Sequence, residues 1–359
     1  MDIEHVQVAV IGGGQSGLAA ARAAREAGLT PVVLEASARA AGSWPSYYDS
    51  LTLFSPARFS ALPGLPFGGD GDRHPHRDEV VDYLTRYAAD LDADIRTGVR
   101  VEAVEAAADG FVLRTADGSR LAAAGLVTAT GSFGNPLIPA LPGRATFPGT
   151  VLHAAAYRGP AAWAGLRIVV VGGGNSAVQI AHELGRVARV TVASRAPLAF
   201  LPQRRNGRDL HHWLTATGFD ALPPAWLARV VPGTLVLDDG RHRRALDRGI
   251  FDRRPMFTAL DGEGVVWSDG TRERVDAVLL ATGYRPALNY LAGTGALDAE
   301  GSPLHVGGLS LAHPGLVHLG LEFQRSFASN TLRGVAVDAA HVMTALAAHV
   351  RGAAAAAGL

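Results

Sequence analysis

Apolar and polar positions divide the 359-residue chain into segments with the lengths of strands, helices and turns. Residues 6–11 form an apolar run of strand length, and an alanine-rich stretch with helical spacing follows to about Ala27. Gly28 ends that helix, and a second apolar run, 32–34, ends at Glu35. This order predicts a strand–helix–strand unit whose two strands are parallel.

The turn between the first strand and the helix contains Gly12, Gly14 and Gly17 in the spacing GxGxxG. Glycines in this spacing let the backbone approach a pyrophosphate at the helix N-terminus. An acid at the end of the second strand, here Glu35, accepts hydrogen bonds from ribose hydroxyls. The unit therefore predicts a site for FAD or NAD.

The same pattern returns in the middle of the chain, where Gly172, Gly174 and Ala177 make GxGxxA. Its second strand, 190–193, ends in Ser194 and Arg195 instead of an acid. Arginine can pair with a ribose 2′-phosphate, which an acid would repel, so this unit predicts NADPH rather than NADH. A solvated surface arginine is the alternative interpretation of Arg195.

Each unit is followed by a hairpin pattern with an Asp-Gly turn and then by a returning strand. The first returning strand closes on Thr130-Gly131 and the second on Thr282-Gly283. This internal repeat predicts an α/β protein with two Rossmann-like dinucleotide-binding domains.

The amino-acid composition argues against several classes of function. The formal net charge is zero, and the 33 basic residues are all arginine, so general nucleic-acid binding is not expected. The absence of cysteine excludes disulfides, thiol nucleophiles and cysteine metal sites, and no metal is expected. Acidic residues at the start, and apolar runs too short for a membrane span, lead us to expect a soluble, cytoplasmic protein without a membrane partner.

Segment 147–157, FPGTVLHAAAY, carries a family resemblance. Through Phe147, Gly149, His153 and Tyr157 it resembles the FxGxxxHxxx(aromatic) motif of the class B flavin-dependent monooxygenases. DAVLLATGY, 276–284, resembles a second motif of that family. AGSW, 41–44, resembles its Gly-Gly-x-Trp segment, with alanine in place of the first glycine.

The resemblance implies a discontinuous FAD domain, residues 1–146 and 286–359, with an NADPH domain inserted at 147–285. It implies that NADPH reduces FAD, and that reduced FAD and O2 form a flavin hydroperoxide that oxygenates a soft nucleophile (N or S) of a small molecule. Baeyer–Villiger chemistry or a hydride-only NADPH flavoprotein reductase are the alternatives, and a non-enzymatic redox sensor is an outside hypothesis. Baeyer–Villiger members usually have Trp where Tyr157 stands, followed by an acid or Pro, whereas Arg158 follows here, which favours heteroatom oxygenation. A monomer or homodimer is expected.

The motifs and the resemblance together predict the residues around each cofactor. Those predicted to bind FAD are Gly12, Gly14, Gln15, Ser16, Gly17, Glu35, Gly42, Ser43, Trp44, Val101, Thr130, Gly131 and Gln324. Those predicted to bind NADPH are Gly172, Gly174, Asn175, Ser176, Ala177, Ser194, Arg195, Thr282 and Gly283.

No catalytic residue is assigned, because in this chemistry the cofactor reacts and the protein orients it. Many family members have an active-site Asn in the segment that corresponds to 53–59, which here is LFSPARF. Ser55 is the nearest polar candidate, with turn capping as its alternative. Gln324, Ser326 and Asn330 lie on the turn before the C-terminal helix and either face the flavin site or cap that turn. His153 is a further candidate, for which a structural role is favoured over a catalytic one.

Overall fold

The computed structural model describes residues 3–230 and 234–356. In the first part of the chain the elements are β1 (Glu4–Ile11), α1 (Gln15–Glu26), β2 (Pro31–Glu35), α2 (Arg77–Ala89), β3 (Asp94–Thr97), β4 (Val101–Ala107), β5 (Gly110–Thr115) and β6 (Arg120–Thr128). The middle part contains β7 (Thr150–His153), β8 (Arg167–Val171), α3 (Asn175–Leu184), β9 (Arg189–Ser194), β10 (Ala199–Pro202), β11 (Arg204–Arg205), β12 (Arg208–Asp209), α4 (Leu210–Ala216), α5 (Pro224–Val230), β13 (Leu235–Asp238), α6 (Arg241–Asp247), β14 (Asp252–Pro255), β15 (Ala259–Asp261), β16 (Gly264–Val266), β17 (Arg272–Arg274) and β18 (Ala277–Leu280). The last elements are β19 (His305–Val306), β20 (Leu309–Ser310), β21 (Leu316–His318) and α7 (Val335–Ala356).

The first sheet is built on five parallel strands in the order β21-β6-β1-β2-β3. The hairpin β4–β5 adds to the first half of β6, and β19 and β20 extend the sheet beyond β21. Helices α1, α2 and α7 cover one face, where Val10, Val33 and Val127 are buried. The β4–β5 hairpin covers the other face over Ile11 and Leu126. Parallel strands between two covering layers are the arrangement of a doubly wound nucleotide-binding fold.

The second sheet repeats this plan with five parallel strands in the order β14-β9-β8-β18-β7. Helix α3 packs on one face over Ile168 and Val192. The three-stranded meander β15–β17 covers the other face, where Trp267, directly after β16, is buried. The α/β fold with two Rossmann-like units is therefore confirmed.

The two sheets are formed by different parts of the chain. The strands of the first sheet lie in 1–146 or 286–359, and those of the second lie in 147–285. Leu141 already packs in the second core beside Phe147, and the backbone NH of Leu260 donates to the carbonyl of Pro142 at 2.8 Å. The core of the second unit thus begins a few residues before the predicted domain boundary, which itself stays a prediction.

Between β9 and β14 the chain makes an excursion through residues 199–247, which we call the insert. It contains β10 to β13 and α4 to α6 and lies outside the five-stranded sheet. Within the described residues, no helix is both long and apolar enough to cross a membrane.

Candidate cofactor sites and the segment between them

A cavity of about 560 Å³ lies at the carboxyl edge of the first sheet. The glycine loop after β1, the end of β2, the loop before Tyr47 and the loop after β6 form its walls. The predicted FAD residues that line it are Gly12, Gly14, Gln15, Ser16, Glu35, Gly42, Ser43, Trp44, Val101, Thr130 and Gly131. The sequence motifs thus converge on one cavity.

The glycines of the first loop are required by close backbone contacts. Gly12 has φ +104°, and a Cβ there would lie 2.6 Å from the carbonyl oxygen of Ala129. A Cβ on Gly17 would lie 1.8 Å from the carbonyl oxygen of Gly12. Gly17 therefore does not line the cavity but lets the start of α1 pack against the loop. The free NH groups at that helix start then face the cavity, where they attract an anion.

Glu35 is 5% exposed, and its carboxylate is fixed by two backbone donors. Gly13 NH donates to Oε2 at 2.6 Å, and Ser37 NH donates to Oε1 at 2.7 Å. Each carboxylate oxygen can accept a further hydrogen bond. Glu35 is thus held at the cavity wall with acceptor capacity left for a ribose diol.

Gln15 joins the two loops that flank the start of α1. Its Oε1 accepts from the indole Nε1–H of Trp44 at 3.0 Å, and its Nε2 donates to the carbonyl of Asn330 at 2.7 Å. Asn330 also lines the cavity. One amide side chain therefore sets the position of two cavity walls.

The second glycine loop has the same backbone design. Gly172 has φ +144°, and a Cβ there would lie 2.4 Å from the carbonyl oxygen of Ala281. Ala177 is buried against the loop, and Ser176 is exposed at the start of α3. Asn175 differs from its counterpart Gln15, because its Oδ1 accepts from Leu237 NH at 2.8 Å and so ties α3 to β13 of the insert.

Strand β9 ends in the buried Ser194, and the exposed Arg195 follows it. Ser194 Oγ donates to the carbonyl of Ala196 at 2.7 Å, which closes the turn after the strand. Arg195 follows with its side chain exposed. Arg253, on the neighbouring strand β14, donates to both the hydroxyl and the carbonyl of Ser194.

Thr282 and Gly283 lie after β18 and bind the chain that enters the second unit. Thr282 Oγ1 donates to the carbonyl of Leu137 at 2.5 Å. The carbonyl of Gly283 accepts from Leu137 NH at 2.9 Å and from His153 Nε2 at 3.1 Å. Both residues therefore hold connecting segments in place.

Each motif residue of segment 147–157 has a distinct contact. Phe147 is buried in the second core, and a Cβ on Gly149 would lie 2.4 Å from the Phe147 ring and 2.5 Å from the carbonyl oxygen of Asp276. Tyr157 OH donates to Glu183 Oε2 on α3 at 2.8 Å. The segment is therefore fastened to the sheet at one end and to the nucleotide-binding helix at the other.

Backbone groups occupy both ring nitrogens of His153. Ala155 NH donates to Nδ1 at 3.1 Å, and Nε2 faces the carbonyl of Gly283. This pairing requires the neutral tautomer with its proton on Nε2. Burial lowers the pKa of His153, which keeps the ring neutral. The geometry is that of a structural tether between the segment and the end of β18.

A row of aromatic rings leads from this tether to the first cavity. Tyr284 meets the His153 ring edge-on at 5.0 Å between centroids and stacks on Phe133 at 5.6 Å. Phe133 contacts Tyr47 at 4.6 Å, and Tyr47 contacts Trp44 at 5.4 Å. The row joins segment 147–157 to the wall of the FAD cavity through apolar contacts.

The insert also packs against segment 53–59. Gln203 Nε2 donates to the carbonyl of Phe54 and to Asp209 Oδ2, both at 2.8 Å. His211 Nδ1 lies 2.7 Å from Asp209 Oδ1, and its ring stacks on Phe54 at 6.0 Å. Burial alone would raise the pKa of Asp209, but hydrogen bonds from His211, His74 and Gln203 outweigh it and hold the pKa well below its usual value.

Comparison with known proteins identifies the family. The sequence model of the pyridine nucleotide-disulphide oxidoreductases matches residues 9–216. The chain belongs to this family. The solved flavin-containing monooxygenase of Stenotrophomonas maltophilia is 33% identical with a TM-score of 0.85, covering 97% of this chain and 99% of that one. Indole-3-pyruvate monooxygenase YUCCA1 of Oryza sativa subsp. japonica is 33% identical over 77% of this chain and 76% of its own. Uncharacterized oxidoreductase CzcO of Bacillus subtilis (strain 168) is 28% identical over 93% of this chain and 97% of its own.

These relatives confirm the resemblance to the class B flavin-dependent monooxygenases, and with it an oxidoreductase that uses FAD and NADP(H) for oxygenation. The first cavity fits an FAD on physical grounds. Its glycine loop leaves no room for a Cβ, a helix N-terminus faces it, and a fixed carboxylate lies where a ribose would bind. The second glycine loop repeats the cradle for a second dinucleotide.

Besides Gly17, two further predicted residues do not line the first cavity. Gln324 is 5% exposed, and its Nε2 donates to the carbonyl of His318 at 2.9 Å while its Oε1 accepts from Leu321 NH at 3.3 Å. Ser55 is buried, with its hydroxyl 2.9 Å from the hydroxyl of Ser60. In both cases local backbone packing, which the sequence motifs do not report, turns the side chain toward its own loop.

Other residues of the cavity wall were not predicted. Tyr290 lies in the wall with its OH 3.1 Å from Thr130 Oγ1, and burial raises its pKa. Tyr47, Phe133 and Gly320 are further lining residues that no motif indicated. The Trp44–Tyr47 spacing, one aromatic three residues after another, was the available signal for Tyr47. No pattern in the sequence pointed to Tyr290.

Proposed function

We propose that this protein uses NADPH to reduce FAD and transfers one oxygen atom of O2 to a soft nitrogen or sulfur nucleophile of a small molecule. The full-length likeness to a solved flavin-containing monooxygenase is the observation that carries this proposal. Bound FAD would supply the electron transfer and the oxygen activation, which amino-acid side chains cannot supply.

The side chains around the cavity bind and position. The loop of Gly12 and Gly17 would hold the pyrophosphate, and the Glu35 carboxylate would accept from the ribose. Gln15 orders the loops of Trp44 and Asn330 beside the helix start.

The aromatic row is suited to exclude water between the two cofactor sites. Tyr47, Phe133 and Tyr284 present ring faces and edges, and Tyr47 packs between Trp44 and Phe133. Burial raises the pKa of both Tyr47 and Tyr284, so their phenols stay neutral. An apolar, uncharged wall would keep water away from a bound FAD and so limit side reactions with water.

Two observations favour oxygenation of a heteroatom over the alternatives. The chain contains no cysteine, so it cannot pass electrons through a dithiol of its own. Tyr157 occupies the position where Baeyer–Villiger members usually have Trp, and its OH is bonded to Glu183. Arg158 follows it, with its guanidinium turned back to the carbonyls of Ala155 and Tyr157.

The test uses the FAD-loaded protein with NADPH in ¹⁸O2 and three probes: an aryl methyl thioether, a tertiary amine and a cyclic ketone. We expect one ¹⁸O atom in a sulfoxide or N-oxide, with NADPH consumption rising when the thioether or amine is present. A labelled lactone as the main product would support the Baeyer–Villiger alternative. Hydrogen peroxide as the sole product with every probe would support a hydride-only reductase, and NADPH that binds but is not oxidised would support a sensor.

A further inference from the structure

Helix α4 of the insert contacts the first unit at both of its ends, on two different loops. Where the helix begins, the ring of His211 stacks on the ring of Phe54 at 6.0 Å between centroids. Shortly after it ends, Phe219 meets Phe327 edge-on at 5.5 Å. The helix therefore bridges the loop that contains Phe54 and the loop that contains Phe327.

Both of these loops lead to the FAD cavity. Trp44 precedes Phe54 along one loop, Asn330 follows Phe327 along the other, and both Trp44 and Asn330 line the cavity. Gln15 is hydrogen-bonded to both of these lining residues. Helix α4 thus connects the same two walls that Gln15 joins, and the side of α4 that faces the first unit borders the space between them.

His211 is the side chain that α4 directs toward the first unit. It is the one residue of this helix that is buried, with 1% of its surface exposed. Its ring faces the rings of Phe54 and Phe59 at 6.0 and 6.1 Å. Arg58, the charged residue beside them, pairs with Asp72 instead. The first unit therefore meets the imidazole with aromatic rings.

Asp209 fixes the direction and the tautomer of the His211 ring. Its Oδ1 lies 2.7 Å from Nδ1 of His211, and its Oδ2 accepts from Gln203 and faces Nε2 of His74 at 3.5 Å. Although burial alone would raise the pKa of Asp209, these contacts hold that pKa well below its usual value. An ionised carboxylate only accepts hydrogen bonds, so the neutral imidazole carries its proton on Nδ1 and a lone pair on Nε2.

Nε2 is the nitrogen of this imidazole that has no partner. Within residues 3–230 and 234–356 no group is hydrogen-bonded to Nε2 of His211, and the ring nitrogens that are sealed from solvent without a partner are those of His74 and His318. An imidazole lone pair held in this way can accept a proton, because the carboxylate on the opposite nitrogen stabilises the imidazolium that forms.

We propose that the substrate is an amine that carries a proton at neutral pH, and that His211 accepts this proton at Nε2 before the nitrogen is oxygenated. This narrows the substrate class of the proposed function and rests on that function. An amine with a pKa of about 10 is neutral in only about one molecule in a thousand at pH 7. Its protonated nitrogen has no lone pair to attack oxygen, whereas a thioether sulfur always has one.

The proton transfer balances within the overall reaction. The N–H bond of the ammonium breaks with its electron pair remaining on nitrogen, and the proton forms a new N–H bond at Nε2. Oxygenation with NADPH and O2 consumes one proton for each water that it forms, and the ammonium supplies that proton. A tertiary ammonium, O2 and NADPH therefore give an N-oxide, NADP⁺ and water.

The first test compares two probes of similar shape, N,N-dimethylbenzylamine and benzyl methyl sulfide, with the FAD-loaded protein, NADPH and O2. We expect His211→Phe, which keeps a ring against Phe54, to lower kcat/KM for the amine about a hundredfold at pH 7. The loss should shrink about tenfold per pH unit toward pH 9, because the amine then loses its proton in solution. The value for the sulfide should stay within about twofold, since sulfur has no proton to lose.

Asp209→Asn provides a second variant that keeps the imidazole. It removes the charge that stabilises the imidazolium, so we expect kcat/KM for the amine to fall about tenfold at pH 7 and that for the sulfide to be unchanged. His212→Phe is the matched control on the same helix. His212 is half-buried against the Trp213 ring, and its replacement should leave both probes unaffected.

A binding measurement tests the same contact without turnover. Benzyldimethylammonium and benzyltrimethylammonium have the same charge, but only the first has an N–H that can donate to Nε2 of His211. Calorimetric titration of the oxidised, FAD-loaded protein at pH 7 should show about tenfold tighter binding of the first ion. His211→Phe should abolish this preference.

Three results would overturn the proposal. Equal losses for the amine and the sulfide would mean that His211 only supports the packing of the insert. An unchanged amine rate in His211→Phe at pH 7, or equal affinity of the wild type for the two ammonium ions, would mean that His211 takes no proton from the substrate. If the wild type oxygenated neither probe, the proposed function would fail, and the binding preference would still decide the role of His211.

Discussion

Arg333 and Asp220 form a two-point ion pair between the loop that precedes α7 and the insert. Nε of Arg333 donates to Oδ2 at 2.8 Å, and Nη2 donates to Oδ1 at 2.7 Å. The two side chains are 10% and 16% exposed. Phe219 and Phe327 meet edge-on beside the pair at 5.5 Å. The insert thus reaches the loop whose Asn330 accepts from Gln15 at the FAD cavity.

We expect Asp220→Ala to lower the free energy of unfolding by about 3 kcal/mol, because it leaves the Arg333 guanidinium without its counter-charge in a largely buried position. Urea unfolding measures the change. The control is Arg272→Ala, which removes the exposed Arg272–Asp261 pair and is expected to cost less than about 1 kcal/mol. Equal losses in the free energy of unfolding would mean that burial does not make the Arg333–Asp220 pair more important than the exposed Arg272–Asp261 pair.

Gly17→Ala is expected to abolish stable FAD binding. Its methyl group would lie 1.8 Å from the Gly12 carbonyl oxygen, so α1 and its NH groups must move away from the cavity. The measurement is the ratio of flavin to protein after gel filtration. Gly352→Ala is the control, because no atom lies within 4 Å of the added methyl on α7 and alanine favours a helix by about 1 kcal/mol. A Gly17→Ala protein that retains a full complement of flavin would refute the close-contact argument.

Trp44→Phe is expected to weaken FAD binding about fivefold, since it keeps the apolar ring but removes the donor to Gln15 Oε1, a bond contributing about 1 kcal/mol. Flavin fluorescence during dilution measures the dissociation constant. Trp226→Phe, at a position 66% exposed on α5, is the matched control and should not change it. A loss of the same size in both variants would point to a general effect on stability.

The buried His318 is expected to make the free energy of unfolding depend on pH. It is fully buried, its Nδ1 contacts Thr128 Oγ1 at 2.8 Å, its Nε2 has no partner within the described residues, and burial lowers its pKa to about 4. Between pH 6.5 and about 4 the unfolded chain binds a proton that the folded protein does not bind. The free energy of unfolding therefore falls as the pH falls through this window, by about 2 kcal/mol at pH 5.

Urea unfolding at pH 7.5 and pH 5 of the wild type and of His318→Gln checks this prediction. The variant should show a smaller difference between the two pH values. It should keep part of the dependence, because burial also lowers the pKa of the neighbouring His305. An identical difference in both proteins would assign the pH dependence to other groups.

The parts of the site that could be predicted from the sequence are those fixed by local backbone geometry. Gly12 and Gly172 stand where a Cβ would strike the returning strand, so their spacing alone indicates the two loops. Glu35 follows from the same geometry, because β2, which it ends, lies beside the first loop. Arg195, directly after β9, stays a prediction.

What could not be predicted depends on packing between distant segments. Tyr290 reaches Thr130 across 160 residues of chain. Arg253 donates to Ser194 at the end of a strand other than its own. Gln324 lies on the predicted turn, but the carbonyl of His318 captures its amide and turns it away from the cavity. No periodic pattern and no fixed residue spacing in the sequence indicates any of these contacts.

The insert is anchored to the first unit at two separate places, through Gln203 to the carbonyl of Phe54 and through Asp220 to Arg333. Segment 147–157 adds a third connection, because the ring of Tyr157 packs on that of Tyr48 in the first unit at 6.0 Å between centroids. If the packing of one unit were lost, the hydrogen bond and the ion pair that link it to the other unit would break as well. Heating should therefore give one calorimetric transition for the whole molecule rather than two, and the ratio of calorimetric to van't Hoff enthalpy should be close to one.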